Sequence, residues 1–193
     1  MINEFPGEVL KTLETLRSAG YKAHIVGGAV RDLLLGETPR DWDIATDALP
    51  KTVRKLFNAE ENEIKERFGG VTAGTPAVPI EVQTFRLDGD YPDGRNPRKV
   101  LFVTKLEWDI PRRDFTINAL AFAEDDRTII DYTGGINDLK NKLIRTIGDP
   151  YTRLTEDNTR ITRAEELLKR YPFLSLEKNT KKAIDKIRQS CYT

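Results

Sequence analysis

The chain has 193 residues, enough for one good-sized domain with a small appendage and too few for a modular multidomain machine. Its 31 Lys plus Arg residues balance 31 Asp plus Glu, so no global field attracts a polyanion, and any nucleic-acid partner must be held by a local patch. With 38% hydrophobic and 32% charged residues the composition is that of a soluble chain with enough apolar side chains to close a core, which excludes wholesale disorder.

From Glu8 to Ala19 the apolar residues Val9, Leu10, Leu13 and Leu16 recur at helical spacing, and Gly20 stops the helix. Lys22 to Val26 reads as a short strand ending in Gly27-Gly28, followed by a short helix from Ala29 to Leu35 closed by Gly36. A second strand, Asp41 to Ala45, follows Pro39, and Pro50 opens a helical stretch through Phe57. Val71 to Ala73 and Ile80 to Phe85 are expected to pair as a hairpin. Leu87 to Lys99 holds two Asp-Gly pairs, two prolines and no apolar run, the pattern of a mobile surface loop whose length suggests a function. Arg112 to Leu120 reads as helix, Ala121 to Glu124 and Thr128 to Asp131 as short strands, Thr133 to Gly135 as a turn, and Leu143 to Ile147 as a further strand. From Asp149 the pattern is all-helical, in two segments divided at Tyr171-Pro172, which places a boundary near Gly148.

Several chemistries are excluded by counting. The single cysteine, Cys191, permits no intramolecular disulfide framework or cysteine-based zinc site and fits a reducing cytosol, while the single histidine, His24, removes every histidine-cluster metal centre. A metal site here is therefore built of carboxylates. No apolar run approaches the ~20 residues of a membrane span, and no secretion signal opens the chain, so the expected location is the cytoplasm and no membrane partner is expected.

In Asp41-Trp42-Asp43 two carboxylates separated by one residue fall on one face of a strand, which suits a hard ion such as magnesium. Alone, Asp-x-Asp is more often a solvated turn. Its weight comes from Gly27-Gly28, where glycines between strand and helix let backbone N–H groups approach phosphate oxygens, with Arg31 one turn on; an isolated glycine pair would be an ordinary tight turn. Glu81, between Ile80 and Val82, is either an outward-facing strand residue or a third carboxylate completing a two-magnesium site.

The ordered strings Gly27-Gly28-Ala29-Val30-Arg31-Asp32, Asp41-Trp42-Asp43-Ile44-Ala45-Thr46, Arg112-Arg113-Asp114-Phe115-Thr116-Ile117-Asn118-Ala119-Leu120 and Glu156-Asp157-Asn158-Thr159-Arg160 resemble the class II tRNA nucleotidyltransferases (CCA-adding enzymes) and their bacterial poly(A) polymerase relatives. The loop from Asp88 to Pro97 is similar to that family's flexible loop, and Asp131 to Arg145 resembles its next block. The resemblance implies an α+β fold: a polymerase β-like nucleotidyltransferase head over residues 1–148, with a small mixed sheet flanked by helices, then a short all-helical neck over 149–193. It implies that Asp41 and Asp43 hold magnesium, that Glu81 is the third carboxylate, and that Gly27, Gly28 and Arg31 meet the triphosphate. Arg112, Arg113, Asp114 and Asn118 would hold sugar and phosphates, and Asp157, Arg160 and Arg163 would lie on the base-reading helix. The implied substrates are CTP, ATP and the 3′ end of tRNA or another RNA. Addition of A only or of C only stays open, as does a weakly active or inactive RNA-binding module, and the pattern leaves oligomeric state open.

The base-reading pair also has a direct rationale. Residues three apart on a helix share a face, so Asp157 and Arg160 would set an acceptor beside donors. Cytosine and adenine place an amino group next to a ring-nitrogen acceptor, whereas uracil and guanine place a carbonyl next to an N–H. Without the other motifs the same pair would be a surface salt bridge. Two departures from the family pattern stand out. Glu166 occupies the position where an arginine is expected, and the resemblance covers only head and neck, so the basic run from Lys178 to Arg188 is either a remnant RNA-contacting surface or a solvated face.

Overall fold

The computed structural model describes residues 5–125 and 127–190; Cys191 lies outside the described residues. The chain runs α1 (Gly7–Ser18), β1 (Ala23–Val26), α2 (Gly28–Leu34), β2 (Trp42–Thr46), α3 (Pro50–Phe57), α4 (Glu63–Arg67), β3 (Gly70–Gly74), β4 (Pro79–Thr84), β5 (Arg86–Gly89), β6 (Lys99–Phe102) and α5 (Leu106–Asp109). Two 3₁₀ turns, Ile110–Arg112 and Thr116–Asn118, lead into β7 (Ala121–Ala123), β8 (Thr128–Ile130), α6 (Gly135–Lys140), β9 (Leu143–Ile144), α7 (Pro150–Glu156), α8 (Thr159–Arg170), β10 (Ser175–Leu176) and α9 (Lys178–Ser190).

Six strands form one mixed sheet in the order β3-β4-β2-β1-β7-β8, in which β2 and β4 are parallel and the other pairs antiparallel. Helices flank it, giving the expected α+β architecture. The apolar positions of α1 (Val9, Leu13, Leu16) pack with Ile25, Ile44, Ile80 and Val82 of the strands, which closes one face of the sheet. The parallel β2–β4 register sets Asp43 directly beside Glu81. That single pairing decides where the carboxylates lie.

Three expectations are corrected. Residues 112–120 do not form a continuous helix. Asp114 accepts a hydrogen bond from the backbone N–H of Phe115 at 2.6 Å, offering the chain a local alternative to helical bonding. Thr116 N–H then donates to Arg145 at 2.9 Å, Ile147 N–H donates to Asp114 at 3.0 Å, and Phe115 bridges Thr146, so the segment is drawn out along residues 145–147. Second, the segment around Leu87 to Lys99 is not wholly loop, because β5 and β6 pair antiparallel at its ends. Third, the region after Asp149 is not all-helical: β10 pairs in parallel with β9, and Asp157 and Asn158 divide the first helical segment into α7 and α8.

A second apolar cluster joins Phe115, Ile117 and Ile144 to Leu154, Ala164, Leu167, Ala183, Ile184 and Ile187. The terminal helices thus share a core with the segment that carries the double arginine. Thr180, fully buried, accepts a hydrogen bond from Thr146 N–H at 3.1 Å, tying α9 to the same strip. On the basic run, Lys186 lies 4.5 Å over the Tyr151 ring and Arg188 pairs with Glu165, while Lys178, Lys181 and Lys182 are exposed. Among the described residues no helix is long and apolar enough to cross a membrane.

Candidate active site

The strand-to-helix turn is built as the sequence suggests. Gly27 precedes α2 with φ 76° and ψ −139°, a backbone region essentially closed to other residues. A Cβ there would stand 3.5 Å from Asp43 Oδ2 and 3.7 Å from Arg113 Nη1, so the absent side chain is what leaves this corner open between a carboxylate and a guanidinium. At Gly28 a Cβ would meet Arg31 Nη2 at 3.3 Å.

Asp43 lies on β2, half-buried, whereas Asp41 precedes the strand and is exposed. Burial pushes the Asp43 carboxyl above the ordinary carboxylate value; Arg113 opposes the rise, and Glu81 and Asp41 add to it. Asp41 faces a neighbouring recess with Arg40, Lys169 and Arg170, while Asp43 and Glu81 share a second recess with Lys65 and Arg86. Glu81 Oε1 accepts hydrogen bonds from Lys65 Nζ and Thr72 Oγ1, each at 2.7 Å. Among the described residues no three Asp, Glu, His or Cys side chains converge as a ready-made metal cage. The donor chemistry nonetheless fits magnesium: all-oxygen ligands on paired strands, with a half-buried carboxylate whose charge a divalent ion would offset.

Opposite this corner stands a wall of arginines, each fixed by a carboxylate. Asp109, fully buried, accepts from Arg112 Nε at 2.7 Å, Arg113 Nη2 at 3.0 Å and the backbone N–H of Arg86 at 3.0 Å. Burial alone would raise its pKa, but Arg112, Arg113 and the Arg86 N–H hold it below the usual value. Arg31 is buried; its Nε and Nη2 donate to Asp32 at 2.9 and 2.6 Å, and its Nη1 donates to Asn118. Asp32 also accepts from Arg170 Nη2 and Tyr171 Oη, each at 2.7 Å, so α2 is locked to the end of α8. Asn118 Nδ2 donates to Asp114 Oδ1 at 3.2 Å, and Asp114 Oδ2 accepts from Arg163 Nε at 2.9 Å.

The helical region closes the cleft. Asp157 lies in the junction between α7 and α8, not on the same helix as Arg160, which corrects the expected i,i+3 geometry. Its Oδ1 accepts from Thr159 N–H at 3.0 Å and Thr159 Oγ1 at 2.6 Å, and its Oδ2 from Arg163 Nη2 at 3.0 Å. Burial works against its ionisation, yet the Thr159 and Arg163 bonds hold the carboxyl below its usual value. Arg160, buried, donates from Nη1 to the Arg153 carbonyl at 2.5 Å and from Nη2 to the Arg112 carbonyl at 3.2 Å. Its Nε is buried without a hydrogen-bond partner, 3.8 Å from Asp157 Oδ2, and its guanidinium sits 5.9 Å over Tyr91. Gly94 of the long loop accepts from Asn158 N–H at 3.0 Å, so that loop is tied to the α7–α8 junction and brings Tyr91, Arg95 and Pro97 to the cleft wall.

One cleft therefore gathers Gly27, Gly28, Arg31, Asp43, Arg112, Arg113, Asp114, Asn118, Asp157, Arg160 and Arg163. Asp41 and Glu81 lie outside it, in the two adjoining recesses, and Glu166 is exposed on the rim of the recess that holds Asp41. Sequence reasoning missed Asp109, Asp32 and Tyr91. Asp109 carried a readable signal, standing three and four residues before Arg112 and Arg113. Asp32 stands next to Arg31, but its role in locking α2 to α8 had no local signal, because Arg170 and Tyr171 are far along the chain.

Residues 23–145 match the family model of the poly A polymerase head domain. The chain is 43% identical over 185 residues to the CCA-adding enzyme of Bacillus pumilus, an alignment covering 96% of this chain and 46% of that protein. It is 45% identical over 177 residues to the CCA-adding enzyme of Geobacillus thermodenitrificans, covering 92% and 43%. The crystal structure of the Bacillus stearothermophilus CCA-adding enzyme in complex with CTP aligns with a TM-score of 0.81 at 39% identity, covering 94% of this chain and 43% of that one. A tRNA nucleotidyltransferase complexed with a primer tRNA and an incoming ATP analog aligns at 0.68 and 30% identity, covering 91% and 49%. The chain thus spans a little under half the length of these relatives. With the glycine turn, Asp41, Asp43, Glu81 and the double arginine all inside the matched segment, the chain belongs to the poly A polymerase head domain family.

Proposed function

We propose that this chain is a template-independent tRNA nucleotidyltransferase: the 3′ hydroxyl of a cytoplasmic tRNA attacks the α-phosphate of CTP or ATP, releasing pyrophosphate. In this reading residues 1–148 are the catalytic head and 149–193 the neck. The observation that carries it is the single cleft in which a phosphate-accommodating glycine turn, an ionisable β2 carboxylate, a wall of fixed arginines and the Asp157–Arg160 pair face one another.

Each group has a task set by its position. Gly27 and Gly28 leave room for phosphate oxygens at the start of α2, and Arg113 Nη1, directed at the same corner, supplies positive charge. Asp109 holds Arg112 and Arg113 in place before substrate arrives, so little reorganisation is needed as charge develops. Asn118 and Asp114 brace Arg31 and Arg163 around the sugar and phosphates. Magnesium held by Asp41 and Asp43, with Glu81 as third carboxylate, would polarise the phosphate under attack and lower the pKa of the attacking hydroxyl.

For base choice, Arg160 and Asp157 line the same cleft, with the guanidinium 3.8 Å from the carboxylate. A base with an amino group next to a ring nitrogen satisfies both; uracil and guanine present the reversed pattern and leave buried groups unpaired. A second reading, a weakly active or RNA-binding module or one that adds A or C alone, is favoured by Glu166 in the adjoining recess lined by Arg31, Arg40 and Arg170, where its charge would oppose a phosphate. Incubation with labelled CTP, ATP, magnesium and tRNA lacking its 3′ end separates the two. Ordered addition of C, C and A supports the proposal, A or C alone supports the restricted enzyme, and no product refutes transfer.

A further inference from the structure

The acidic corner contains a cation that the proposed chemistry does not use. Lys65 projects from α4, a five-residue helix whose start is fixed by the Asn62 side chain accepting from Lys65 N–H at 3.0 Å. Its ammonium reaches Glu81 Oε1 and Thr72 Oγ1, both at 2.7 Å, and Thr72 also donates to Glu81 Oε1 at 2.7 Å. Thr72 is the direct cross-strand neighbour of Glu81 on one side, and Asp43 is its neighbour on the other. Lys65, Glu81 and Asp43 line the same recess. The ion pair is half-exposed, with side chains 45% and 34% accessible, so it adds little to stability, and its main effect is on local charge.

We propose that Lys65 is a positioning residue that acts as a built-in counter-ion for Glu81, competing with a divalent cation and setting how weakly that cation is held. The inference rests on the proposed carboxylate metal site. Both donors occupy Oε1, so an incoming ion must meet Lys65's positive charge or displace its ammonium. Thr72 contributes direction without charge.

The test is manganese binding to the whole chain, followed by electron paramagnetic resonance of the free ion, with no nucleotide or RNA present. Lys65→Met should bind manganese about three- to tenfold more tightly, from the loss of one nearby positive charge partly screened by solvent. Lys65→Arg should stay within about twofold of the parent, and Thr72→Val should shift binding less than Lys65→Met does. Unchanged or weaker binding in Lys65→Met, with circular dichroism matching the parent, overturns the counter-ion role. Asp43→Asn, made in both backgrounds, separates the two ideas: if it leaves manganese binding intact, the metal-site reading itself fails.

Discussion

The two sides of the cleft are built on opposite plans. On the arginine wall Arg112 and Arg113 are matched inside the protein by Asp109, Arg31 by Asp32, and Arg163 by Asp114 and Asp157. On the acidic corner, Asp43 and Glu81 are brought together by strand register, with Lys65 as the counter-charge on Glu81. On the proposed function, fixed cations with internal partners would receive a polyphosphate without rearrangement, whereas an under-compensated pair of carboxylates would hold an ion that comes and goes. The wall is therefore a structural asset, and on the proposed function a binding surface as well, whereas the corner's role is mainly the proposed functional one.

Substitutions should separate these plans. Asp43→Asn is expected to lower nucleotide transfer by about a thousandfold or more, the scale on which a primary electrostatic group acts, while the unfolding midpoint in urea stays near the parent's or rises. A variant retaining full transfer would remove Asp43 from the chemistry. Asp109→Ala should do the reverse first: stranding two arginines beside a buried cavity should cost about 3–5 kcal/mol of stability, read from urea unfolding, with activity falling as a consequence.

Asp109 also gives a pH signature. Its folded pKa lies below the unfolded value of about 3.9, so its stabilising contribution is fully present above that value and is lost as the pH falls through the folded one. Urea midpoints measured from pH 6 down to pH 3 should fall more steeply in the parent than in Asp109→Asn, and parallel curves would show that the carboxylate contributes no such linkage.

Gly27→Ala forces a side chain into a backbone region reserved for glycine and into the space between Asp43 and Arg113, an expected loss of about 1–3 kcal/mol in thermal unfolding. It should also raise the KM for the nucleotide, and an unchanged KM would show that the corner does not receive phosphate. The smallest of these effects is expected at Arg160. Arg160→Ala should reduce the preference for C and A over U by about ten- to a hundredfold, the worth of one buried hydrogen-bonding group. Competition assays with all four nucleoside triphosphates measure it, and unaltered selectivity would rule out base reading by this side chain.

Much of this was legible in the amino-acid order. The helix from Gly7, the glycine turn, the hairpin of β3 with β4 and the Pro50 helix start all rest on short-range periodicity, capping and turn chemistry. The segment after Arg112 misled because Phe115 and Ile117 are spaced like one face of a strand or a loose helix, and the choice between them lies with Arg145 and Ile147, some thirty residues on. The Asp157–Arg160 pair was legible as a pair but not as geometry: Thr159 captures the Asp157 carboxylate and ends the preceding helix there.

What the sequence determined by itself was the inventory. One histidine and one cysteine leave carboxylates as the chemistry of any metal site, and balanced charge confines any polyanion contact to a local patch. What only the tertiary structure decided was the pairing of that inventory: Asp109 with Arg112 and Arg113, Asp32 with Arg170, Lys65 with Glu81, and Asp43 beside Glu81 across a parallel pair of strands. The reason is physical. Residue type and spacing act over a few positions through backbone geometry, but a charge chooses its partner by distance in space, and that distance is set when the sheet register and the helix packing close together.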